Sequence, residues 1–206
     1  MDLEQKCSTT EDTEDTRRPL SDQMKRRRGL CVTPVPSVVA FLSIAAAVLA
    51  GQAPARTPDI HFVPTRQAVA VAMLELAGVT ADDVVYDLGS GDGRIVVIAA
   101  QKYGARGVGV EIDHQLVERS REIAREGGVA DRVTFIEGDL FAADISRATV
   151  VTLYLSTTVN MRLEPKLKRE LGPGTRIVSQ QFRIGNWPPD VTTRAENQQL
   201  FLWTIR

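Results

Sequence analysis

Cysteine is scarce in this chain of 206 residues: Cys7 and Cys31 are the only two, and both precede the part that reads as folded. That excludes a disulfide framework or a cysteine-based metal site in the domain, and leaves either redox compartment open. Histidine is as scarce, with His61 and His114 alone, so no metal cluster is expected. Charge of one sign is also lacking, because a formal net charge of -1 gives no broad field to hold duplex DNA or other nucleic acid. There is no internal repeat, and low complexity is confined to the N-terminus. What remains is an ordinary globular composition, 43% hydrophobic and 25% charged, long enough for one domain plus a tail.

Residues 1–23 are polar, rich in Asp, Glu, Thr and Arg, and too poor in apolar side chains to offset chain entropy, so they are expected to be disordered. Residues 24–53 change character. Met24 is followed by Lys25, Arg26, Arg27 and Arg28, then an apolar run from Val32 to Ala50 and small residues through Ala53, the layout of a secretory signal. Met24 as the true initiator explains the late position of that signal. An uncleaved anchor through residues 29–51 is the competing reading, weakened by Pro34 and Pro36, and a plain apolar leader is a third. The first two predict an exported or membrane-associated domain, and an unused leader a cytoplasmic one. Residues 54–60 read as a linker, and 61–206 as the domain, expected to be monomeric.

The domain is organised around Val84 to Arg94, V-V-Y-D-L-G-S-G-D-G-R, an apolar strand that ends in Asp87 and then in Gly89, Gly91 and Gly93. Glycines tolerate backbone angles that other residues avoid, and the first turn of the helix that follows leaves N–H groups free to face a ligand. Alternating elements surround this stretch. A helix capped at Thr65 runs to about Ala77. Strands are predicted at 84–88, 107–111, 133–137, 149–155 and 175–181, and helices at 94–103, 114–126 and 158–171. The alternation calls for a mostly parallel α/β sheet with helices on both faces. Two last strands, 191–195 and 199–205, have hairpin spacing, so the end of the sheet is expected to be antiparallel.

Arg94 stands where a dinucleotide fingerprint needs glycine or alanine, which argues against that register. D-L-G-S-G-D-G at 87–93 resembles motif I of class I S-adenosylmethionine-dependent methyltransferases, whose Rossmann-like sheet has seven strands. Glu111, ending G-V-G-V-E-I-D, matches the acid that holds the ribose hydroxyls in that class, and Asp139 with Leu140 matches the pair at the adenine. Each alone reads as a solvated strand-end carboxylate, but three on one sheet edge do not.

A narrower resemblance covers residues 61–206. The V-P-T lead-in, the glycine loop, G-V-E-I-D and a Trp-Pro segment after the fifth strand are similar to a protein-lysine methyltransferase family. That family includes the mitochondrial enzymes for the ATP synthase c-subunit and the adenine nucleotide translocase. The resemblance implies S-adenosylmethionine as cofactor, a protein lysine as acceptor, and Thr65 with Ser90 and the three glycines among the cofactor contacts; Thr65 also suits a helix cap. Similarity to Dot1-type enzymes fails at Thr152, Leu153 and Tyr154, where those have asparagines, and Leu155-Ser156-Thr157 does not reproduce the motif of amide and nucleobase methyltransferases. Bacterial relatives have Leu-Pro at that point and an acid where this chain has Gln180-Gln181-Phe182-Arg183.

Those departures concern the acceptor side. Tyr154 and Asn160 are the candidates for shaping the acceptor pocket, and Trp187 for walling its channel. Their competing roles are packing for Tyr154 and Trp187, and helix capping for Asn160. Arg94 and Arg183 are expected to be solvated or paired with neighbouring acids. A small lipophilic acceptor, or a non-catalytic cofactor-binding module, stays open beside the lysine reading. Export favours the module, since the methyl donor is made in the cytosol.

Overall fold

The computed structural model describes residues 61–206, and the readings of residues 1–60 lie outside the described residues. Chain order is α1 (Gln67–Leu76), β1 (Val84–Leu88), α2 (Arg94–Tyr103), β2 (Arg106–Glu111), α3 (His114–Glu126), β3 (Val133–Glu137), β4 (Val150–Leu153), α4 (Thr157–Glu170), β5 (Arg176–Gln180), β6 (Val191–Ala195) and β7 (Gln198–Thr204). The expected elements are all present, with ends that move by one or two residues. β4 is the most shortened: its ladder to β1 stops at Leu153, so Tyr154 and Leu155 belong to the loop above the sheet.

The strands form one seven-stranded sheet in the order β3-β2-β1-β4-β5-β7-β6. β1 to β5 are parallel, and β7 lies antiparallel between β5 and β6. The chain therefore steps outward from β1 to β3, then returns to lay β4 on the other side of β1. At such a reversal the loops after the two strands diverge and leave a crevice at the carboxyl ends.

Strand alternation divides the core in two. Val85, Val150, Val178 and Leu200 pack with Val69 and Met73 of α1, Val96 and Ala99 of α2, and Val117 of α3. Their neighbours Tyr86, Val151, Ile177 and Phe201 turn to the other face and pack with Leu163 and Leu167 of α4. Trp203 is completely buried on that second face. Burial of one side chain of this size contributes about 2–3 kcal/mol.

Local chemistry sets the helix ends nearest the crevice. α2 starts at Gly93 in the left-handed region (φ 74°), where other residues are strained, and stops at Gly104 (φ 71°). α3 starts at Asp113, whose Oδ1 accepts from the Gln115 N–H at 2.8 Å, and α4 at Ser156, whose Oγ accepts from the Val159 N–H at 3.3 Å. α1 departs from expectation. Its N-cap is Arg66 with no side-chain bond, because the Thr65 hydroxyl is engaged elsewhere.

Candidate functional site

The crevice at the β1/β4 reversal is a cavity of ≈ 460 Å³ above the carboxyl ends of β1, β2 and β3. Asp87, Glu111 and Asp139 bring a carboxylate to its lining from each of three successive strands, and Thr65, Gly89, Ser90, Leu140 and Tyr154 complete the expected set found there. Apolar side chains close the rest, among them Phe62, Ile112, Leu116, Phe141 and Leu155, none of which carried a chemical signal in the sequence.

Glu111 is the hinge of this floor. One oxygen accepts from the Gly91 N–H at 2.8 Å, and the other from the N–H groups of Ile112 and Asp113 at 2.8 and 3.0 Å. The carboxylate thus ties the glycine loop to β2, and the oxygen bonded to Gly91, which accepts one hydrogen bond, keeps acceptor capacity for a ligand. Asp139 shapes the adjoining loop by accepting from the Phe141 N–H at 2.9 Å. Asp87 is 3% exposed, and its Oδ1 accepts from Thr152 Oγ1 at 2.7 Å. Burial pushes the Asp87 carboxyl up to about 7, against the Thr152 hydrogen bond, with the nearby charges of Glu111 and Asp92 adding to the rise.

Gly91 and Gly93 were expected to touch a ligand and do not line the cavity. At Gly91 (φ 55°) a Cβ would fall 2.2 Å from the Phe62 ring, and at Gly93 (φ 74°) 2.4 Å from the Phe135 ring. These two glycines admit aromatic rings and fold the loop; Gly89 alone of the three reaches the lining. The Ser90 hydroxyl lies against Gly109, where a Cβ would sit 2.6 Å from it, and Ser90 is among the residues that line the cavity.

Two acceptor-side candidates stand apart from the cavity. Asn160 is fully buried behind the wall, and its Nδ2 donates to Ser179 Oγ and to the Phe182 carbonyl, both at 3.1 Å. It braces the first turn of α4 against the loop after β5. Trp187 packs on Trp203 with ring centroids 6.1 Å apart, accepts at its carbonyl from the Trp203 indole at 3.1 Å, and does not line the cavity. Tyr154 does line the cavity, with its ring stacked 6.4 Å from that of Phe182.

Two contacts lay beyond sequence reading. Thr65 Oγ1 donates to Gln180 Oε1 at 2.9 Å, and the Thr65 carbonyl accepts from Arg94 Nη1 at 2.9 Å. Arg94 is itself held by Asp92, with Nε donating at 2.9 Å. The V-P-T segment is thereby stapled between the glycine loop and the end of β5. Arg183 lies over the Phe201 ring at 5.3 Å. Among the described residues no group of three His, Cys, Asp or Glu side chains is placed to hold a metal ion, and no helix is long and apolar enough to cross a membrane.

Comparison with known proteins places this geometry. The model of the ANTKMT methyltransferase domain matches residues 87–191. A protein-lysine N-methyltransferase of Saccharolobus islandicus is 43% identical over 153 residues, covering 72% of this chain and 95% of that enzyme. The human lysine N-methyltransferase of the ATP synthase c-subunit is 38% identical over 107 residues; this chain spans 46% of its length. Among solved structures, an RNA methyltransferase from Salinibacter ruber in complex with S-adenosyl-L-homocysteine is 57% identical, with a TM-score of 0.69 over 69% of this chain and 94% of that one. The seven-stranded, mostly parallel sheet with its antiparallel end is that of a Rossmann-like methyltransferase. Within that class, the chain belongs to the family of the ANTKMT methyltransferase domain.

Proposed function

We propose that the protein is an S-adenosylmethionine-dependent protein-lysine N-methyltransferase. The observation that carries this reading is the 43% identity over 153 residues to the Saccharolobus lysine methyltransferase, of which 95% is covered. The cavity suits the cofactor on its own terms. Its volume of ≈ 460 Å³ lies in the range of small-molecule sites, and Gly89, where a Cβ would meet Leu155 at 2.6 Å, leaves a bare backbone on the floor. Glu111 would accept from the ribose hydroxyls; Asp139 and the Leu140 N–H would meet the adenine edge, with Ile112, Leu116 and Phe141 against its ring faces; and Asp87, Gly89, Ser90 and Thr65 would surround the amino-acid end.

Bound there, S-adenosylmethionine supplies a methyl group on a sulfonium that already contains its leaving group. The chain's part is then to align the amine, exclude water and disfavour charge on the attacking nitrogen. Tyr154 and the apolar Leu155 and Val63 form the wall where that nitrogen must arrive. A lysine ammonium with an ordinary pKa of ~10.4 sheds its proton more readily against such a wall than in water.

RNA is the second reading, because the Salinibacter neighbour is described as an RNA methyltransferase. The charge around the cavity speaks against it: Asp87, Asp92, Glu111, Asp113 and Asp139 line it beside a single cation, Arg94, which Asp92 engages. Polyanions need a surplus of unengaged cations to release counterions. Labelled donor supplied to protein extract, total RNA and extracted lipid tests the assignment. Label in protein that hydrolyses to methyl-lysine is expected, and label confined to RNA or lipid overturns it. Residues 24–53 are proposed to bring the domain, as a monomer, to or across a membrane. N-terminal sequencing of the mature protein, fractionation and sizing in solution test this.

A further inference from the structure

A second cavity of ≈ 340 Å³ opens on the far side of Tyr154 and Val63, the two residues it shares with the cofactor cavity. Its remaining lining is Pro64, Arg66 and Val69 from the start of the domain, Gln180 at the end of β5, and Glu196, Asn197 and Gln198 at the β6–β7 turn. The chemistry of this lining differs from that of its neighbour. Gln180 and Gln198 join side chain to side chain, Nε2 to Oε1 at 3.4 Å, and leave a polar wall with one carboxylate, Glu196. The one cation in the lining, Arg66, donates from Nη1 to Glu196 Oε2 at 3.2 Å, in a pair that is 78% and 39% exposed.

Backbone strain gathers at the same place. Among the described residues only two non-glycine residues have positive φ: Glu196 (φ 50°), in the cavity wall, and Gln181 (φ 66°), next to Gln180. Glycine takes such angles without cost, so a glutamate held there is kept against a local preference for glycine. In-line transfer requires the acceptor nitrogen to approach opposite the departing sulfur, so it needs a way in besides the space the donor fills. The second cavity adjoins the first at Tyr154 and Val63 and offers one.

We propose that this second cavity admits the acceptor lysine and that Glu196 receives its ammonium in exchange for Arg66. The inference rests on the protein-lysine reading given above. An exposed pair contributes little, so an incoming ammonium replaces the guanidinium at small cost, one cation for another. Beyond Glu196 the side chain passes Val63 to Tyr154, where loss of water favours the neutral amine and the proton returns to solvent. Glu196 thus selects a cationic acceptor at the mouth and stays out of the transfer itself.

The test uses the full chain with labelled donor and protein extract, measuring initial rates against extract concentration for the wild type, E196Q, E196G and R66Q. E196Q and E196G are expected to raise the half-saturating extract concentration by about fivefold, with the maximal rate and the calorimetric affinity for S-adenosylmethionine unchanged. E196G should melt higher than the wild type, because glycine relieves the positive φ; a raised half-saturation in a more stable protein separates recognition from folding. R66Q is expected to lower the half-saturating concentration. Half-saturation that neither Glu196 variant moves overturns the assignment while the lysine reading stands. Wild-type label in RNA or lipid and none in protein overturns both.

Discussion

Asp87 and Thr152 face each other in register across the β1–β4 pair, and the Thr152 hydroxyl donates to the Asp87 carboxylate at 2.7 Å. Because burial raises Asp87 to about 7, the folded state keeps this proton longer than the unfolded chain does. The stability tied to Asp87 is therefore complete below about pH 4 and is lost as pH rises through 7. T152V removes a donor that serves the charged form. It should cost about 1–3 kcal/mol at pH 8 and clearly less at pH 5. Thermal melts at the two pH values check the difference, and an equal loss at both would place the role of Thr152 in packing.

Affinity for the cofactor should follow the same titration. S-adenosylmethionine carries a cationic sulfonium, and a cavity whose buried acid is neutral at pH 5 and charged at pH 8 binds a cation better at the higher pH. Below about pH 7 the dissociation constant is expected to rise by up to about tenfold per pH unit in the wild type. In D87N this slope should vanish. Calorimetry from pH 5.5 to 8.5 reads it directly.

Gly93 and Gly128 share a positive φ, 74° and 68°, and differ in what surrounds them. Nothing lies within 4 Å of a Cβ built on Gly128, whereas one on Gly93 meets Phe135 at 2.4 Å and Ser120 at 2.8 Å. G128A should cost about 1–2 kcal/mol for the backbone alone. G93A should cost about 2 kcal/mol more through overpacking. Denaturant unfolding of both variants gives the comparison.

Tyr154 and Trp187 should separate function from packing. Y154A opens the wall between the two cavities and is expected to lower turnover at least about tenfold, the scale of a misaligned acceptor. W187A strips the Trp203 ring of one of its two aromatic partners, leaving Phe201, and should lower the melting temperature while leaving turnover close to the wild-type value. Label incorporation and melting, measured on both proteins, decide.

The sequence was most legible where a signal is local. Apolar runs ending in Asp87 and Glu111 placed β1 and β2, and their acids fell on one sheet edge because parallel strands share a direction. It was least legible where a role depends on a distant partner. Thr65 looked like a helix cap until its hydroxyl proved to be bonded 115 residues away, at Gln180. Asn160 had the right position after β4 for a pocket residue, but the loop after β5 captures its amide. The three glycines look alike in the motif, and only the rings of Phe62 and Phe135, contributed by other segments, tell Gly91 and Gly93 apart from Gly89.

The β6–β7 turn, one wall of the second cavity, joins its two strands through only Glu196 and Asn197 between the paired Ala195 and Gln198. β6 is an exposed edge strand bonded to β7 alone, and neither strand supplies a residue to the cofactor cavity. A loop in that position is a detachable reading head. On the role proposed for Glu196, lengthening or replacing it would change which lysine neighbourhood is read while every residue that lines the cofactor cavity stays the same.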